Sequence, residues 1–440
     1  MYKTRLFFII ACIFNAFYLI LTFTFFYFLD NPLMNIDEND YLTFYYAGLN
    51  VLEDLPNLYN SSLSPFPFRY LPLSAYFFTP FSILGLRLGY FVFQIFNFFL
   101  NTLIIYLIYK IIQIYKSSYN SSNFNYKLNN FRDIFNKAEN ESVLHHTAVF
   151  LIMLPQFMNY FLGQINILVT VFLLSSVFYF LKEGARNELI GGFLLGLGIL
   201  IRPSLLFILP FLVVLHYEKD SKKFTLNFKK TILRLLGPII LLLISGIYFL
   251  IYPQMLTDFI AINLTGEYTY KIDTGIEINP SFSLTRIVLI ILQLIQVDLN
   301  GFLVFIIISL VILIPIYFLY IQNSNHPNSL INGYLVGLLV MLIVYFDSWP
   351  HHIVTITPFL IFFILFNKKF RYYKLFKYLH YFIAILMVIF WGIFYLTYEF
   401  FPLNAGGLIL LMLIYYCLVV YYTNTGQNDK NKVLNSINVQ

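Results

Sequence analysis

The sequence has few charged residues: Asp, Glu, Lys and Arg together account for 11% of its 440 positions. Hydrophobic residues make up 60%, including 51 Phe and 36 Tyr, and a water-soluble domain of this length cannot bury so much apolar surface. The shortage of charge excludes a soluble globular protein and indicates that the chain lies in a lipid bilayer. The net charge of +6 is modest and is explained by membrane topology, so it gives no support for a nucleic-acid partner.

Cysteine is nearly absent as well. Cys12 and Cys417 lie far apart in the sequence, each inside an apolar run. They are interpreted as small core residues, which excludes a disulfide framework and a cysteine metal site. An internal repeat, which transporters commonly show between their two halves, is not recognisable in this sequence either. The absence of a repeat argues against a transporter built from two similar halves.

Long apolar runs separated by basic clusters indicate the topology. The first run, Leu6–Phe28, is about 23 residues long and suits one bilayer span. It lacks a small-residue cleavage site, so we expect a retained anchor and not a signal peptide. Basic clusters at 116–137, 182–186, 219–234 and 368–377 belong in the cytoplasm by the positive-inside rule. This arrangement predicts an all-α polytopic membrane protein with about twelve transmembrane helices and both termini in the cytoplasm.

Two apolar runs do not fit that scheme as crossings. Residues 70–86 carry two prolines, and residues 283–297 form a short run that contains an arginine. We therefore expect both to be re-entrant or juxtamembrane helices at the outer face, and residues 189–216 to form a hairpin.

The predicted organisation is a single transmembrane domain over residues 1–423. Its parts are an outer loop at 30–69, a second outer loop with an interfacial helix at 253–300, a cytoplasmic loop at 116–144 and a disordered cytoplasmic tail at 424–440. Long outer loops attached to a membrane bundle suggest chemistry at the outer surface.

Asp40 is the most informative residue, because it places a carboxylate among aromatic residues soon after the first apolar helix. Tyr41, Phe44 and Tyr45 would desolvate this carboxylate and raise its basicity, as suits a general base that takes a proton from a hydroxyl. The alternative is that Asp40 caps a juxtamembrane helix by accepting backbone N–H groups. Asp37, three residues earlier, is either a second candidate base or a solvated neighbour.

Several cations on the same predicted face are suited to hold an anionic leaving group such as a phosphate. Arg202 is the strongest candidate, since a guanidinium inside a hydrophobic hairpin is costly and its planar fork matches a phosphate; the alternative is an arginine that snorkels to the interface. His351 and His352, at a predicted helix start, either bind phosphate or orient the acceptor, or are polar surface. Arg69 and Arg286 either reach the same site or hold their helices at the lipid headgroups.

Three further residues are candidates for sugar recognition. Gln164 and Asn166 lie in a predicted turn between two helices, where their amides can bind sugar hydroxyls, although a tight turn also favours Asn. Tyr45 either stacks on a sugar ring or belongs to an aromatic belt at the membrane interface. No metal or other cofactor is predicted, because Asp37 and Asp40 do not have the spacing of an Asp-x-Asp metal pair.

Six short motifs follow one another along the chain: Asp40 to Ala47, Phe68-Arg69-Tyr70-Leu71-Pro72, Gly163-Gln164-Ile165-Asn166, Gly196 to Pro203, Asn279-Pro280-Ser281 and Trp349-Pro350-His351-His352. Their order resembles that of glycosyltransferase family 87, the polyprenol-phosphate-mannose-dependent mannosyltransferases of the GT-C superfamily. The chain departs from the family pattern at Leu71, where a second Pro is usual, and at Arg202, where many members have Lys. Neither change removes a reacting group.

The resemblance implies a GT-C fold and a hexosyltransferase of the cell membrane with its active site on the extracytoplasmic side. The donor would be a polyprenyl-phosphate sugar, with mannose as the expected hexose, and the acceptor a hydroxyl of a lipid-linked or other glycan. Asp40 would be the general base of an inverting displacement. Two other classes stay open: a transporter or flippase of lipid-linked glycans, which predicts a continuous polar path across the bilayer, and a polymerase or ligase that joins such glycans.

Overall fold

The structure is a computed structural model that describes residues 2–28, 39–59, 66–119, 140–218, 221, 223–265, 281–297, 299–326, 328–346, 348–368, 370–383 and 407–437. Asp37, Asn279 and Pro280, which belong to the acidic segment and the motifs above, lie outside these residues.

Most of the described chain is helical, as its long apolar runs predict. The α-helices are α1 (Tyr2–Phe28), α2 (Asp40–Glu53), α3 (Pro72–Ile83), α4 (Leu86–Tyr119), α5 (Glu141–Ile152), α6 (Leu154–Phe161), α7 (Asn166–Leu181), α8 (Ala185–Ile201), α9 (Phe228–Ile251), α10 (Pro253–Ile260), α11 (Leu284–Leu294), α12 (Gly301–Gln322), α13 (Ser329–Val344), α14 (Ile353–Phe366), α15 (373–383) and α16 (Gly407–Ile437). Shorter pieces are the 3-10 helices Leu55–Asn57, Pro203–Leu212 and Pro350–His352 and the π-helical turn Ala261–Thr265. A small antiparallel hairpin, β1 (Leu215–Glu218) and β2 (Lys223–Leu226), pairs Leu215 with Leu226.

Five helices within the described ranges are long and apolar enough to cross a bilayer: α1, α4, α9, α12 and α16. The pair α6 and α7, bent by 120° at its break, adds a sixth if it is one span. The prediction of an all-α polytopic membrane protein is therefore confirmed, while the total of about twelve crossings stays a prediction. The helices α3 and α11, with 12 and 11 residues, are shorter than the roughly 20 residues that one crossing needs.

The centre of the bundle is α13, in which every residue from Leu330 to Val344 is buried. In α14, which follows it, the residues from Ile353 to Ile364 are buried too. By contrast, α9 and α12 expose apolar side chains such as Leu243 and Leu310. Such outward apolar faces suit contact with lipid tails, so the bundle is organised around α13 and α14 with lipid-facing helices outside.

Two glycines bring α8 and α9 into close contact. A Cβ added to Gly237 would lie 2.2 Å from the backbone nitrogen of Phe193, and one added to Gly192 would lie 2.4 Å from the carbonyl oxygen of Arg234. Small residues of this kind allow helix backbones in a membrane to approach directly. The contact fixes the position of α8 and therefore of Arg202, the residue at its carboxyl end.

The last helix, α16, runs through to Ile437, although the polar composition of residues 424–440 predicts a disordered tail. Helix formation is limited by its nucleation step, so a helix that is already formed extends at low cost into following residues. The tail contains no proline to stop it.

Candidate active site

Asp40 is the first residue of α2, and its neighbour Asn39 caps that helix. The Asn39 side-chain oxygen accepts a hydrogen bond of 2.8 Å from the Tyr41 backbone N–H. The Asn39 side-chain amide also donates to the carbonyl oxygen of Phe161 at 2.9 Å, which ties the start of α2 to the end of α6. Asn39 therefore supplies the side-chain cap that the sequence analysis considered for Asp40, whose carboxylate does not fill that role.

The turn between α6 and α7 approaches α2 at Gly163. This glycine has a φ of +64°, and a Cβ on it would lie 2.6 Å from the Cβ of Tyr41 and 2.7 Å from the side-chain oxygen of Asn39. Both the left-handed backbone and the lack of space require glycine here. The turn continues with the Gln164 N–H donating to the Asn159 carbonyl at 2.8 Å. The Gly163 turn thus brings the next residue, Gln164, against the start of α2.

Gln164 binds the candidate base directly. Its side-chain amide Nε2 donates a hydrogen bond of 2.5 Å to Oδ2 of Asp40. Burial raises the pKa of Asp40 to about 6, against the opposing effects of the Gln164 hydrogen bond and of the positive charge of Arg69. A carboxylate with this pKa is ionised at neutral pH and still basic enough to accept a proton, which is the property that a general base requires.

Asn166, two residues after Gln164 in the same turn, holds Arg202. Its guanidinium donates a hydrogen bond to the side-chain oxygen of Asn166, while its backbone N–H bonds to the Gly198 carbonyl at 2.8 Å and so closes α8. The carbonyl of Leu200 accepts from the Leu71 N–H at 3.0 Å, which ties the end of α8 to the start of α3. Arg202 is buried, whereas a snorkelling arginine keeps its charged head in water.

A chain of amides continues from Asn166 to the paired histidines. The Asn166 side-chain amide donates to the side-chain oxygen of Asn159 at 3.0 Å. The Asn159 amide in turn donates to the backbone carbonyl of His351 at 3.0 Å. Asn159 is fully buried, and it could not be selected from the sequence, because a single Asn in an apolar helix carries no signal of such a role. The chain joins the Arg202 and histidine segments through side-chain and backbone hydrogen bonds.

Both histidines are buried, which favours the neutral form of each ring. Burial, assisted by the positive charge of Arg202, lowers the pKa of His351 and of His352 well below the usual histidine value. The ring nitrogen Nδ1 of His352 accepts a hydrogen bond of 3.1 Å from the Trp349 N–H, so the proton of the neutral ring is on Nε2. The rings of His351 and Trp349 are parallel, with centroids 6.3 Å apart. His352 is therefore set to act as a neutral hydrogen-bond donor.

Arg69 and Tyr70 lie on the same side of the bundle. The charge of Arg69 lowers the pKa of both Asp40 and His352. Burial raises the pKa of Tyr70 above its usual value, and the charges of Arg202 and Asp40 act on it in opposite directions. Tyr70 is a further candidate site residue; it lies within the Phe68 to Pro72 motif, but nothing in the sequence distinguishes it from the other aromatic residues there. These effects indicate that Tyr70 lies near both the candidate base and the candidate cation.

Arg286 is held close to the histidine segment by its own helix start. The side-chain hydroxyls of Ser283 and Thr285 donate to the Val344 carbonyl at 3.1 and 2.7 Å, and the Ser348 N–H donates to the Ser281 hydroxyl at 3.0 Å. Arg286 is buried, so its guanidinium lies inside the protein.

Tyr45 lies further from the polar cluster. Its ring neighbours Tyr41 and Tyr46 at centroid distances of 6.5 and 5.3 Å, and its carbonyl accepts from the Ser82 hydroxyl at 2.8 Å. These contacts are with α2 and α3 and not with the polar residues around Arg202. The structure therefore brings together Asp40, Arg69, Gln164, Asn166, Arg202, His351 and His352, and leaves Tyr45 beside them.

In the part of the chain that the structure describes, no group of three or more His, Cys, Asp or Glu side chains is arranged to hold a metal ion. The absence of a metal cofactor stays a prediction from the sequence.

Comparison with known proteins gives one family match. The model of glycosyltransferase family 87 matches residues 68–345, more than half of the chain. Neither the curated proteins nor the solved structures yield a match. The matched range includes Arg69, Gln164, Asn166, Arg202 and Arg286, whereas Asp40 and the paired histidines lie outside it.

Proposed function

The chain belongs to glycosyltransferase family 87 and is a membrane glycosyltransferase; from this premise we propose that it moves a hexose from a polyprenyl-phosphate sugar to an acceptor hydroxyl. Asp40 acts as the general base, and the hexose is mannose, as the family resemblance implies. The reaction takes place on the outer face of the cell membrane. The acceptor is a hydroxyl of a lipid-linked or other glycan.

One observation carries this proposal: a single turn binds both a base and a buried cation. Gln164 donates to the carboxylate of Asp40, and Asn166 accepts from the guanidinium of Arg202. Glycosyl transfer from a lipid phosphate needs these two groups at opposite ends of the reacting atoms, since a proton leaves the acceptor while negative charge forms on the phosphate. The turn that contains Gln164 and Asn166 binds both groups, so a single element positions the base relative to the cation.

The proposed step is a direct displacement. The acceptor oxygen attacks the anomeric carbon, and its proton passes to the Asp40 carboxylate as the new C–O bond forms. The bond between the anomeric carbon and the phosphate oxygen breaks, and the phosphate leaves with the electron pair. Attack opposite the leaving group inverts the anomeric carbon, and no covalent sugar intermediate forms on the protein.

Arg202 stabilises the departing phosphate, whose negative charge grows during the step. A buried guanidinium acts strongly on such a charge, because little water screens it and its planar fork matches two phosphate oxygens. The neutral ring of His352 supplies a further donor, and Arg69 and Arg286 add positive charge to the same surface. Gln164 and Asn166 then act as positioning residues for Asp40 and Arg202.

The donor identity is tested with purified protein in detergent. We expect sugar transfer from a polyprenyl-phosphate mannose labelled in its sugar, with release of one polyprenyl phosphate for each product formed. The matching nucleotide-activated mannose should give no product, since it lacks the lipid. Transfer from the nucleotide sugar alone would contradict the proposed donor. Movement of an intact lipid-linked glycan across vesicles without any new glycosidic bond would instead favour the flippase alternative.

The pH dependence of transfer tests the Gln164 contact. Because the base form of Asp40 is present above its pKa of about 6, the rate should fall about tenfold for each pH unit well below that value. The hydrogen bond from Gln164 lowers the pKa of Asp40, so Gln164→Leu should raise that pKa and move the acidic limb of the pH–rate profile to higher pH. The measurement is the midpoint of this limb in wild type and variant.

A matched control for this experiment is Gln254→Leu. Gln254 donates to the carboxylate of Asp258 at 2.8 Å on an exposed helix, so the Gln254→Leu variant loses the same kind of contact outside the site. Its acidic limb should coincide with that of wild type. An unchanged midpoint in Gln164→Leu would contradict the assignment of the limb to Asp40.

A further inference from the structure

A second polar region lies at the opposite end of the bundle from Asp40. The 16-residue α7 begins at Asn166, in the active site, and ends at Leu181, about 24 Å away along its axis. Around that far end is a cavity of about 660 Å³. Because none of the candidate active-site residues lines it, the cavity needs an explanation of its own.

Three cations line this cavity, and one acidic side chain lines it with them. The cations are Lys182, Lys230 and Arg234, and the acid is Glu183. A second carboxylate, Glu188, lies behind them and binds the Arg234 Nε at 2.7 Å and the Lys230 Nζ at 3.3 Å. Three positive charges against two negative ones leave the cavity wall with a net positive charge.

Neutral hydrogen-bond donors are arranged beside the cations. The Ser324 hydroxyl oxygen is buried and has no hydrogen-bond partner among the described residues, and Ser324 lines the cavity. The Nδ1 atom of His326 accepts from the Asn328 N–H at 3.2 Å, which leaves the proton of a neutral ring on Nε2. The 16-residue α13 begins at Ser329 in the cavity wall, so its dipole adds further positive potential. Together these groups form a site suited to an oxyanion.

The remaining wall of the cavity is apolar. Its side chains include Ile114, Tyr115, Phe180, Val213 and Leu330. A cavity of this size with cations and hydroxyls beside an apolar wall fits an anion that carries hydrocarbon better than it fits a small free ion.

The segments beside the cavity have the features of a membrane interface. Leu215 and His216 of β1 line the cavity, and the paired strand β2 and the start of α9 expose Phe224 and Phe228, which are 51% and 67% exposed. Exposed aromatic residues next to lysines are typical of the headgroup level of a bilayer. These features match those of the headgroup level of a bilayer, and they lie on the face where the charge distribution predicts the cytoplasm.

We propose that this cavity binds the phosphate group of an amphipathic ligand, with Lys182, Lys230 and Arg234 as its charge partners, and that an anionic membrane phospholipid is the natural source of that phosphate. The apolar wall holds the glycerol and the upper part of the acyl chains. The site is separate from the proposed glycosyl transfer and does not depend on it.

The experiment uses the full-length protein in detergent and measures the unfolding midpoint and the retained lipid by native mass spectrometry. Phosphatidylglycerol should raise the midpoint and remain bound, whereas phosphatidylcholine should do neither. Lys230→Gln should weaken phosphatidylglycerol binding by about tenfold or more, as expected for the loss of a charged hydrogen bond. Lys182→Gln removes a second cation without breaking a buried ion pair, because the Lys182 Nζ lies over the ring of Phe178 at 4.1 Å.

The matched control is Lys229→Gln, an exposed lysine adjacent to Lys230 in the sequence that does not line the cavity. It should bind phosphatidylglycerol as wild type does. A parallel experiment with inorganic phosphate distinguishes a lipid headgroup from the free ion. If phosphate stabilises the protein and Lys230→Gln abolishes this stabilisation, the free ion is a ligand of the same site. The proposal is overturned if neither phosphatidylglycerol nor phosphate binds, or if Lys229→Gln weakens binding as much as the two cavity variants.

Discussion

Replacing Asp40 by asparagine should lower the rate of sugar transfer by about 10²–10⁴-fold, the contribution of a positioned general base. The new side chain keeps the size of the carboxylate, and the amide of Gln164 can turn to accept a hydrogen bond from it, so the contact between α2 and the Gly163 turn is retained. The measurement is the turnover number with a saturating polyprenyl-phosphate sugar, at a pH above 6 where the wild-type carboxylate is ionised.

Asp54→Asn is the matched control for that variant. Asp54 follows α2, is exposed, and accepts a hydrogen bond from Asn57 at 2.8 Å, so the same change is made close by without touching the proposed base. It should leave the turnover number unchanged, and the two variants should unfold at similar temperatures. Full activity in Asp40→Asn would remove Asp40 from the mechanism and leave Asp37, the second candidate from the sequence, as the base to test.

The sequence indicated polar residues that the structure brings together, but it did not indicate the contacts among them. Asp40 and Arg202 stand out because each is a charge in an apolar or aromatic surrounding. Gln164 and Asn166 are predicted from the sequence to bind sugar hydroxyls or to shape a tight turn; the structure shows them bonded to Asp40 and Arg202, and the sugar contact stays a prediction. Those partners are separated in the sequence by 124 and 36 residues, and no local pattern shows which distant residues meet.

Other parts of the site carry no local signal. Asn159 is one polar residue in a short helix, yet it joins Asn166 to the backbone of His351. Asn39 caps α2 in place of Asp40, and the two were hard to tell apart because both residue types are good caps. Such choices depend on the neighbouring turn around Gly163, which becomes visible only once the chain is folded.

The fold was easier to predict than the site, because length and hydrophobicity decide whether a helix can span a bilayer. That argument works for α1 and α12, which are long and apolar. It is weaker for the buried α13, whose 16 residues are surrounded by protein, and it gives no sign of the β1–β2 hairpin. In those places neighbouring helices, and not lipid, determine the structure.

Replacing Arg202 by glutamine should lower the turnover number by about 10²–10³-fold, the loss expected when one donor to a developing negative charge is removed. Glutamine can still donate to the side-chain oxygen of Asn166, so the buried acceptor keeps a partner while the positive charge is lost. Arg202→Lys keeps the charge but not the planar fork, so it should retain more activity than glutamine and less than wild type. The family resemblance, in which many members carry Lys at this position, likewise favours lysine over glutamine.

The control for both Arg202 variants is Arg186→Gln, at the other end of α8. Arg186 is exposed, so its loss should leave the turnover number unchanged, and it corrects for any general effect of removing an arginine from this helix. Because the phosphate gains charge during bond cleavage, Arg202→Gln should reduce kcat more than it raises KM for the lipid donor. A variant that raises KM alone would show that Arg202 only binds the ground state of the donor. Turnover equal to that of Arg186→Gln would show that the leaving phosphate is stabilised elsewhere, with Arg69 and Arg286 as the next cations to replace.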